Sequence, residues 1–260
     1  MSARGGLTRW SLRLALAAAC ATAPAAPAAA DDLSRGDAAL AAGRWAEALA
    51  AYETAYRAQP TRFDVLWRMA RAESELGEDA KGEEQRRLVS SAVEHARAAV
   101  RVAPDSALGH VWLAVALGRQ ALKEGPRTRL ALAREIKSEA DRAIELDARL
   151  ARAFHVRGAW HRKIAGLSAI ERMAAHAVLG GVPKGASMEH AVEDFRRAVA
   201  LEPDYVNHRL ELGRTYLEMK RYDEARAELE RAIALPPTSH PRDPQRQEEA
   251  RRLLARVRKG

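Results

Sequence analysis

From Leu33 onward the apolar residues fall into paired short stripes, each spaced to cover one face of an α-helix. The unit is clearest over residues 206–237. A first stripe carries Leu212, Gly213 and Tyr216, a second carries Tyr222, Ala225, Leu229 and Ala232, and Pro237 ends the pair. Two short antiparallel helices cross closely only where small residues meet. Gly213 and Ala225 therefore mark the crossing, while Tyr216 and Leu229 fill the spaces beside it. The unit recurs upstream. Residues 33–60 place Gly36 at the crossing, Gly43 at the break, and Trp45, Tyr52, Ala55 and Pro60 in and after the second stripe. Residues 63–104 predict a first helix over 63–76, with Trp67 and Ala70, closed by Gly77; a polar stretch over 78–85 then delays a second stripe of Ala92, Ala96 and Ala99. Residues 107–146 carry Trp112, Leu113, Ala114 and Leu117, a break at Gly125 and Pro126, and then Ile136, Ala140, Ala143 and Ile144. The fourth unit has Phe154, Gly158 and His161, then Ala191, Phe195, Ala198 and Pro203, separated by an insertion over 166–186. The insertion's first half is apolar enough to extend the preceding helix or form its own. Its second half, with Gly180, Gly181, Pro183 and Gly185, predicts a loop. Asp243 and Pro244 supply an N-cap and a first-turn proline for a terminal helix over 245–257, which covers the last open face.

The fifth unit, with Leu212-Gly213-x2-Tyr216, Ala225-x3-Leu229 and Pro237, resembles the tetratricopeptide repeat (TPR), a helix–turn–helix unit of about 34 residues. Only the leading aromatic is replaced, by Arg209. The predicted fold is therefore all-α: a TPR-like α-solenoid of about five helix pairs over residues 31–237, with a C-terminal capping helix within 238–260.

Residues 1–30 read as an export signal. Arg4, Arg9 and Arg13 precede an apolar run from Leu14, and small residues lead to Ala28, Ala29 and Ala30. The apolar core is too short for a transmembrane helix, so the chain is expected to be exported and periplasmic with no transmembrane span. Cys20 is the only cysteine. The alternative of a lipid anchor on Cys20 asks for Leu three residues earlier, where Ala17 stands. Cleavage after Ala30 leaves no thiol and no disulfide. It also removes three of the 43 basic residues, leaving 40 against 35 acidic ones. Those charges alternate along helices rather than forming blocks, and no basic patch with stacking aromatics is present. No nucleic-acid partner is expected.

The fourth and fifth units carry a more specific likeness. The run Gly158-Ala-Trp160-His161-x5-Leu167-Ser168-x-Ile170-Glu171-Arg172-x-Ala174, the Gly-x-Pro loop after it, Ala191-x3-Phe195-x2-Ala198, and the turn Ala234-Leu235-Pro236 resemble the regulator of microtubule dynamics family. The likeness covers about residues 136–252 and includes the insertion. It implies a TPR fold and, from one family member whose repeats bind phospholipids, a lipid-binding capacity. The cytoskeletal role of eukaryotic members is not carried over to an exported chain.

In a solenoid of this kind the first helix of each pair lines a concave groove. The outward register there gives Trp67 and Arg71; Val111, Val115 and Arg119; Arg152, His155, Arg162 and Lys163; and Asn207, Leu210 and Arg214. Each first helix from the second unit onward adds a cation beside apolar surface, which suits an anionic protein or peptide partner. Trp160, Leu167 and Ile170 are expected to wall an apolar pocket at the insertion. Gly180 and Gly185 have the spacing of a phosphate loop but lack its lysine and preceding strand, and Ser168 lacks the glycine frame of a nucleophile elbow. His155 and His161 lie on different helix faces, and no metal motif occurs. The expectation is a non-catalytic interaction scaffold of the cell envelope without cofactor or metal. The alternative is a phospholipid-binding or lipid-transfer module that uses the cationic groove and the insertion.

Overall fold

The apolar stripes become helices that pair along the chain. The computed structural model describes residues 26–179 and 181–257. Over these run α1 (Ala26–Ala41) and α2 (Trp45–Ala58), α3 (Phe63–Asp79) and α4 (Gly82–Val102), and α5 (Ala107–Ala121) and α6 (Pro126–Leu146). They are followed by α7 (Ala151–Ala165), α8 (Ala169–Leu179), α9 (Met188–Leu201), α10 (Val206–Glu218), α11 (Tyr222–Ala234) and α12 (Asp243–Val257). The pairs are α1/α2, α3/α4, α5/α6, α7/α9 and α10/α11. Helix α8 is the insertion, packed on α6, and α12 closes the stack against α10 and α11. The first members α3, α5, α7 and α10 also touch one another in turn, whereas among the described residues no two second members pack extensively on each other, and Arg97 of α4 reaches Glu135 of α6 (2.9 Å) through its side chain. The first members therefore line the inner face. Most of the expected leader, including Cys20, lies outside the described residues, and α1 runs across the expected cleavage point after Ala30.

Small residues set the crossings as the pattern requires. A Cβ on Gly36 would sit 2.2 Å from the Tyr52 ring, and one on Gly213 would sit 2.8 Å from Leu229 Cγ. Tyr52 and Leu229 are fully buried at these crossings, Phe195 is fully buried against Gly158, and Tyr216 is fully buried in the fifth pair. In the fifth pair Arg209 replaces the missing aromatic by bridging the two helices: its Nη1 donates to Glu228 (3.0 Å) and its Nε to the Pro203 carbonyl (3.2 Å). The turn between α10 and α11 places Lys220 at φ 60°, where the first repeat uses Gly43 at φ 74°.

Two expectations need correction, and one open alternative is resolved. Gly77 does not end α3, which continues to Asp79, and α4 starts at Gly82, so most of the polar stretch 78–85 is helical. Gln85 Nε2 donates to the Gly77 carbonyl (2.9 Å) and ties the two helices across that short turn. Asp243 turns backward instead of capping α12: its buried carboxylate accepts from the His240 amide (2.8 Å) and so fixes the turn before the helix. The insertion's apolar half forms its own helix, α8, held at its start by a capping box. The Ser168 hydroxyl accepts from the Glu171 amide (3.2 Å), and the Glu171 carboxylate accepts from the Ser168 amide (2.8 Å).

Gly213→Leu is expected to overpack the α10–α11 crossing and lower stability by about 1–3 kcal/mol. A urea midpoint that falls while its slope stays constant is the expected result.

Candidate functional site

The inner face is built from one or two side chains per first helix. Trp112, on α5, is its centre. Arg71 from α3 and Arg152 from α7 both lie over this indole, with guanidinium carbons 5.5 and 4.8 Å from the ring centroid. Trp67 packs half-buried against the central core and carries Arg68 over its own ring at 4.4 Å. One helical turn beyond Arg71, the Glu75 side chain is almost wholly buried. Burial raises its pKa, but His240, Arg119 and Arg152 outweigh burial and hold it well below the usual carboxylate range. Arg119 donates to Glu78 (2.7 Å). Burial and the neighbouring Arg152 lower the Arg71 pKa, and the buried Nε atoms of Arg71 and Arg119 find no acceptor among the described residues.

Beyond Arg152 the face becomes imidazole-rich. His155 Nδ1 lies 2.9 Å from His208 Nδ1, and His208 Nε2 lies 3.2 Å from Glu202. Asn207 Nδ2 is 3.4 Å from His155 Nε2. Tyr205 stacks obliquely on His208 at 4.6 Å and also receives Arg152 at 5.9 Å. Burial first, then the neighbouring His208 and Arg152, pushes the His155 pKa well down. Burial also lowers His208.

Not every expected groove residue faces outward. Val111 and Leu210 are fully buried core residues, because in α5 and α10 the apolar stripe is one position wider than the groove register assumes. Arg162 is buried, bonded to Glu211 and, at 2.7 Å, to Glu218. Arg214 pairs with Glu249 of the cap and with Glu211 (3.2 Å). These two arginines fasten α7 and α12 to α10. Lys163 stands exposed, and Val115 is half-buried. The structure thus brings together Arg71, Arg119, Arg152, His155 and Asn207, with Trp67 at the edge, and assigns Arg162 and Arg214 to internal ties.

The expected insertion pocket is displaced. Trp160 is core: its Nε1 donates to the Ala133 carbonyl (2.6 Å) and holds α7 to α6. Ile170 is 75% exposed. Leu167 does line a depression of about 420 Å³, with Pro126, Leu130, Ala133, Ile164 and Ala175 as its apolar wall and Arg127 at its margin. Among the described residues no group of three or more His, Cys, Asp or Glu side chains is placed to hold a metal ion, and no helix is long and apolar enough to cross a membrane.

The C-terminal turn is the part of the face that the pattern does not reveal. Arg242, 7% exposed, donates to Asp79 (2.6 Å) and to the Glu75 carbonyl (2.6 Å). His240 stacks on Trp45 at 5.7 Å, and Ser239 Oγ donates to the Asp204 carbonyl (2.9 Å). The run from Ser239 to Arg242 carries no apolar periodicity, so only its proline and charge pattern distinguishes it from a linker.

Paired helices with glycine crossings, first members along an inner face and a closing cap define a TPR solenoid. A thermophilic TPR protein of Thermus thermophilus superposes with a TM-score of 0.66 at 24% identity, covering 88% of this chain and all of that one. Yeast Tom70 superposes with a TM-score of 0.51 at 15% identity over 88% of this chain and 40% of that one. Within that class the chain belongs to the regulator of microtubule dynamics family: the family described as "Regulator of microtubule dynamics protein 1-3" matches residues 29–258. Regulator of microtubule dynamics protein 1 of Bos taurus is 33% identical over 74% of this chain, which spans 61% of that relative's length. The protein of the same name in Caenorhabditis elegans is 31% identical over 68% of this chain and 77% of its own.

The histidines make stability pH-dependent. Burial lowers the pKa values of His155, His208 and His240 and brings His161 to about 4; His95 is raised, by Glu73 against its burial. A lowered histidine takes up its proton on unfolding, so its contribution is present above the unfolded value near 6.5 and is lost as pH falls below it. His95 has the opposite sign. The unfolding free energy from urea titrations is expected to fall from pH 7.5 to pH 5.5, by about 1.4 kcal/mol per pH unit for each proton taken up on unfolding. The fall is expected to be shallower in His155→Gln.

Proposed function

We propose that this protein is a non-catalytic scaffold that acts after export, in the periplasm, and holds an acidic segment of a protein partner across its inner face. The observation that carries this reading is the pair Arg71 and Arg152, both lying over Trp112. Arg119 and Arg242 have carboxylates of their own in Glu78 and Asp79. Arg71 and Arg152 instead feel the buried Glu75 in common, and the Arg71 Nε donates to nothing among the described residues. A partner carboxylate beside the two guanidiniums satisfies the Arg71 donor that the fold leaves open, in a partly dehydrated site where charge-assisted hydrogen bonds are strong. The fold supports a protein partner because its stacked first helices present an extended surface. The leader over residues 1–30 supports export.

A second reading rests on a separate observation. The depression bounded by Leu130, Ile164, Leu167 and Ala175 is mainly apolar and has Arg127 and Arg129 against a single acid, Glu171, in its lining, a combination suited to an acyl chain with an anionic head. Native mass spectrometry of detergent-free protein separates the two, since a co-purified phospholipid supports the second reading.

The principal test is fluorescence anisotropy with a panel of extended Glu/Asp-rich peptides, run against neutral peptides of the same length. Acidic peptides are expected to bind selectively, and Arg71→Ala or Arg152→Met is expected to weaken binding about tenfold or more, with unchanged helical circular dichroism. Binding that is indifferent to peptide charge and to both variants would contradict the proposal.

A further inference from the structure

The solenoid is held end to end through its neighbours, with one exception. No helix of the first two repeats packs extensively against α9–α12 among the described residues. The exception is the turn before α12, which reaches back over more than 160 positions of sequence. Arg242 sits in a seat made by Trp45, Glu75, Glu78 and Asp79. Its Nη atoms donate to Asp79 (2.6 Å) and to the Glu75 carbonyl (2.6 Å), its Nε lies 3.5 Å from the Glu75 carboxylate and 3.8 Å from Glu78, and its guanidinium carbon lies 5.4 Å from the Trp45 ring. His240 adds a stack on Trp45 and comes within 3.7 Å of Glu75. On the other side, Ser239 bonds to Asp204, and Arg246 reaches the Tyr205 hydroxyl (3.2 Å). The contacts along the described chain thereby close into a ring.

We propose that this turn, together with the first turn of α12 (residues 238–246), is a latch: Arg242 is the resident occupant of an arginine-binding seat on the first two repeats, and its release opens the ring so that an internal segment of a partner enters the inner face. The proposal rests on the reading of that face as the partner site and adds how access to it is regulated. Three observations support it. The tie is mainly polar: Thr238, Ser239 and Pro241 are already exposed, the apolar surface that His240 and Arg242 cover is the Trp45 ring, and α12 keeps its own anchors in Ala250, Leu253 and Leu254. The tie is also incompletely satisfied, since Glu75 Oε2, His240 Nε2 and Arg242 Nε are buried without a hydrogen-bond partner, and such groups favour a state in which water reaches them. Finally, latch and partner site share side chains. Glu75 is flanked by His240 and Arg242 from the latch and is felt by Arg119 and Arg152 from the groove, and the Tyr205 ring takes Arg152 at 5.9 Å and Arg246 at 5.2 Å.

The geometry also supplies a lock. An added Cβ on Gly43 lies 2.7 Å from Pro241 Cβ, and a separation about 1 Å larger is that of a disulfide. Gly43→Cys with Pro241→Cys, in a full-length Cys20→Ser background, gives one protein whose latch is covalently shut when oxidised and free when reduced. The strain of a side chain at φ 74° is common to both states. Arg242→Ala gives the opened form. Hydrogen exchange by mass spectrometry reads the latch itself: in Arg242→Ala, amides 238–242 are expected to exchange about tenfold faster or more, while α10 and α11 keep their protection. Stopped-flow binding of an acidic peptide blocked at both ends by folded domains reads the gate. Association is expected to be about tenfold or more slower in the oxidised than in the reduced lock, and faster in Arg242→Ala. Unchanged exchange at 238–242 overturns the latch. Accelerated exchange with equal association rates in all forms overturns the gate. If no form binds any acidic peptide, the reading of the partner site fails and the gate with it, while the exchange result still decides the latch.

Discussion

The helix pairs of this chain close around residues with little or no side chain, and much of the remaining architecture follows from that close approach. At the first crossing, Gly36 leaves room for the Tyr52 ring, whose hydroxyl then reaches Asp37 at 2.7 Å. Asp37 is in turn held by Arg68 of the next repeat at 2.8 Å, so the geometry of one crossing is passed on to its neighbour. Gly158 lies in the same way against Asp194 and Phe195, and Asp194 accepts from Arg157 (2.7 Å), which also donates to Asp141 (3.0 Å) of the preceding pair. Close packing inside a pair and charge ties between pairs are therefore parts of one device. A solenoid built this way has nearest-neighbour energetics, and its long-range shape rests on few contacts.

The inner face shows what such a stack does with its polar residues. Helices that turn their apolar stripes toward one another leave the facing side chains of the first members without apolar partners. Arginines there lie on tryptophan and tyrosine faces, which accept a cation without a fixed acceptor geometry. Arg71 and Arg152 on Trp112 are held in place yet keep hydrogen-bonding capacity. Arg162 and Arg214, with carboxylates from α10 and α12 within reach, are consumed by the fold. Whether such an arginine is consumed by the fold is thus set by the acids that its neighbouring helices supply.

That difference is not legible in the sequence. The helices, their pairing, the glycine crossings and the cap are carried by local periodicity and can be read from it, as can the family likeness through the insertion. The carboxylates on neighbouring helices that take Arg162 and Arg214 lie 35–56 positions away, beyond anything a helical register conveys; only the Arg214–Glu211 pair lies within one turn. Val111 and Leu210 read as outward because each stands next to other apolar residues, and periodicity alone does not say which edge of a wide stripe is buried. Trp160 reads as a pocket wall, yet its partner is a backbone carbonyl, which leaves no trace in side-chain patterns. The Arg242 seat joins residues far apart in the chain through a segment with no periodicity at all.

The proposed role requires that a protein partner lie along the inner face. Site-specific photocrosslinking in intact cells tests it most directly, with the photoreactive residue placed at Trp67 or Asn207 on the inner face and at Arg101 on an exposed second helix. A discrete protein adduct is expected from both inner positions and none from Arg101. Adducts only from Arg101, or inner positions that capture lipid and no protein, would contradict it.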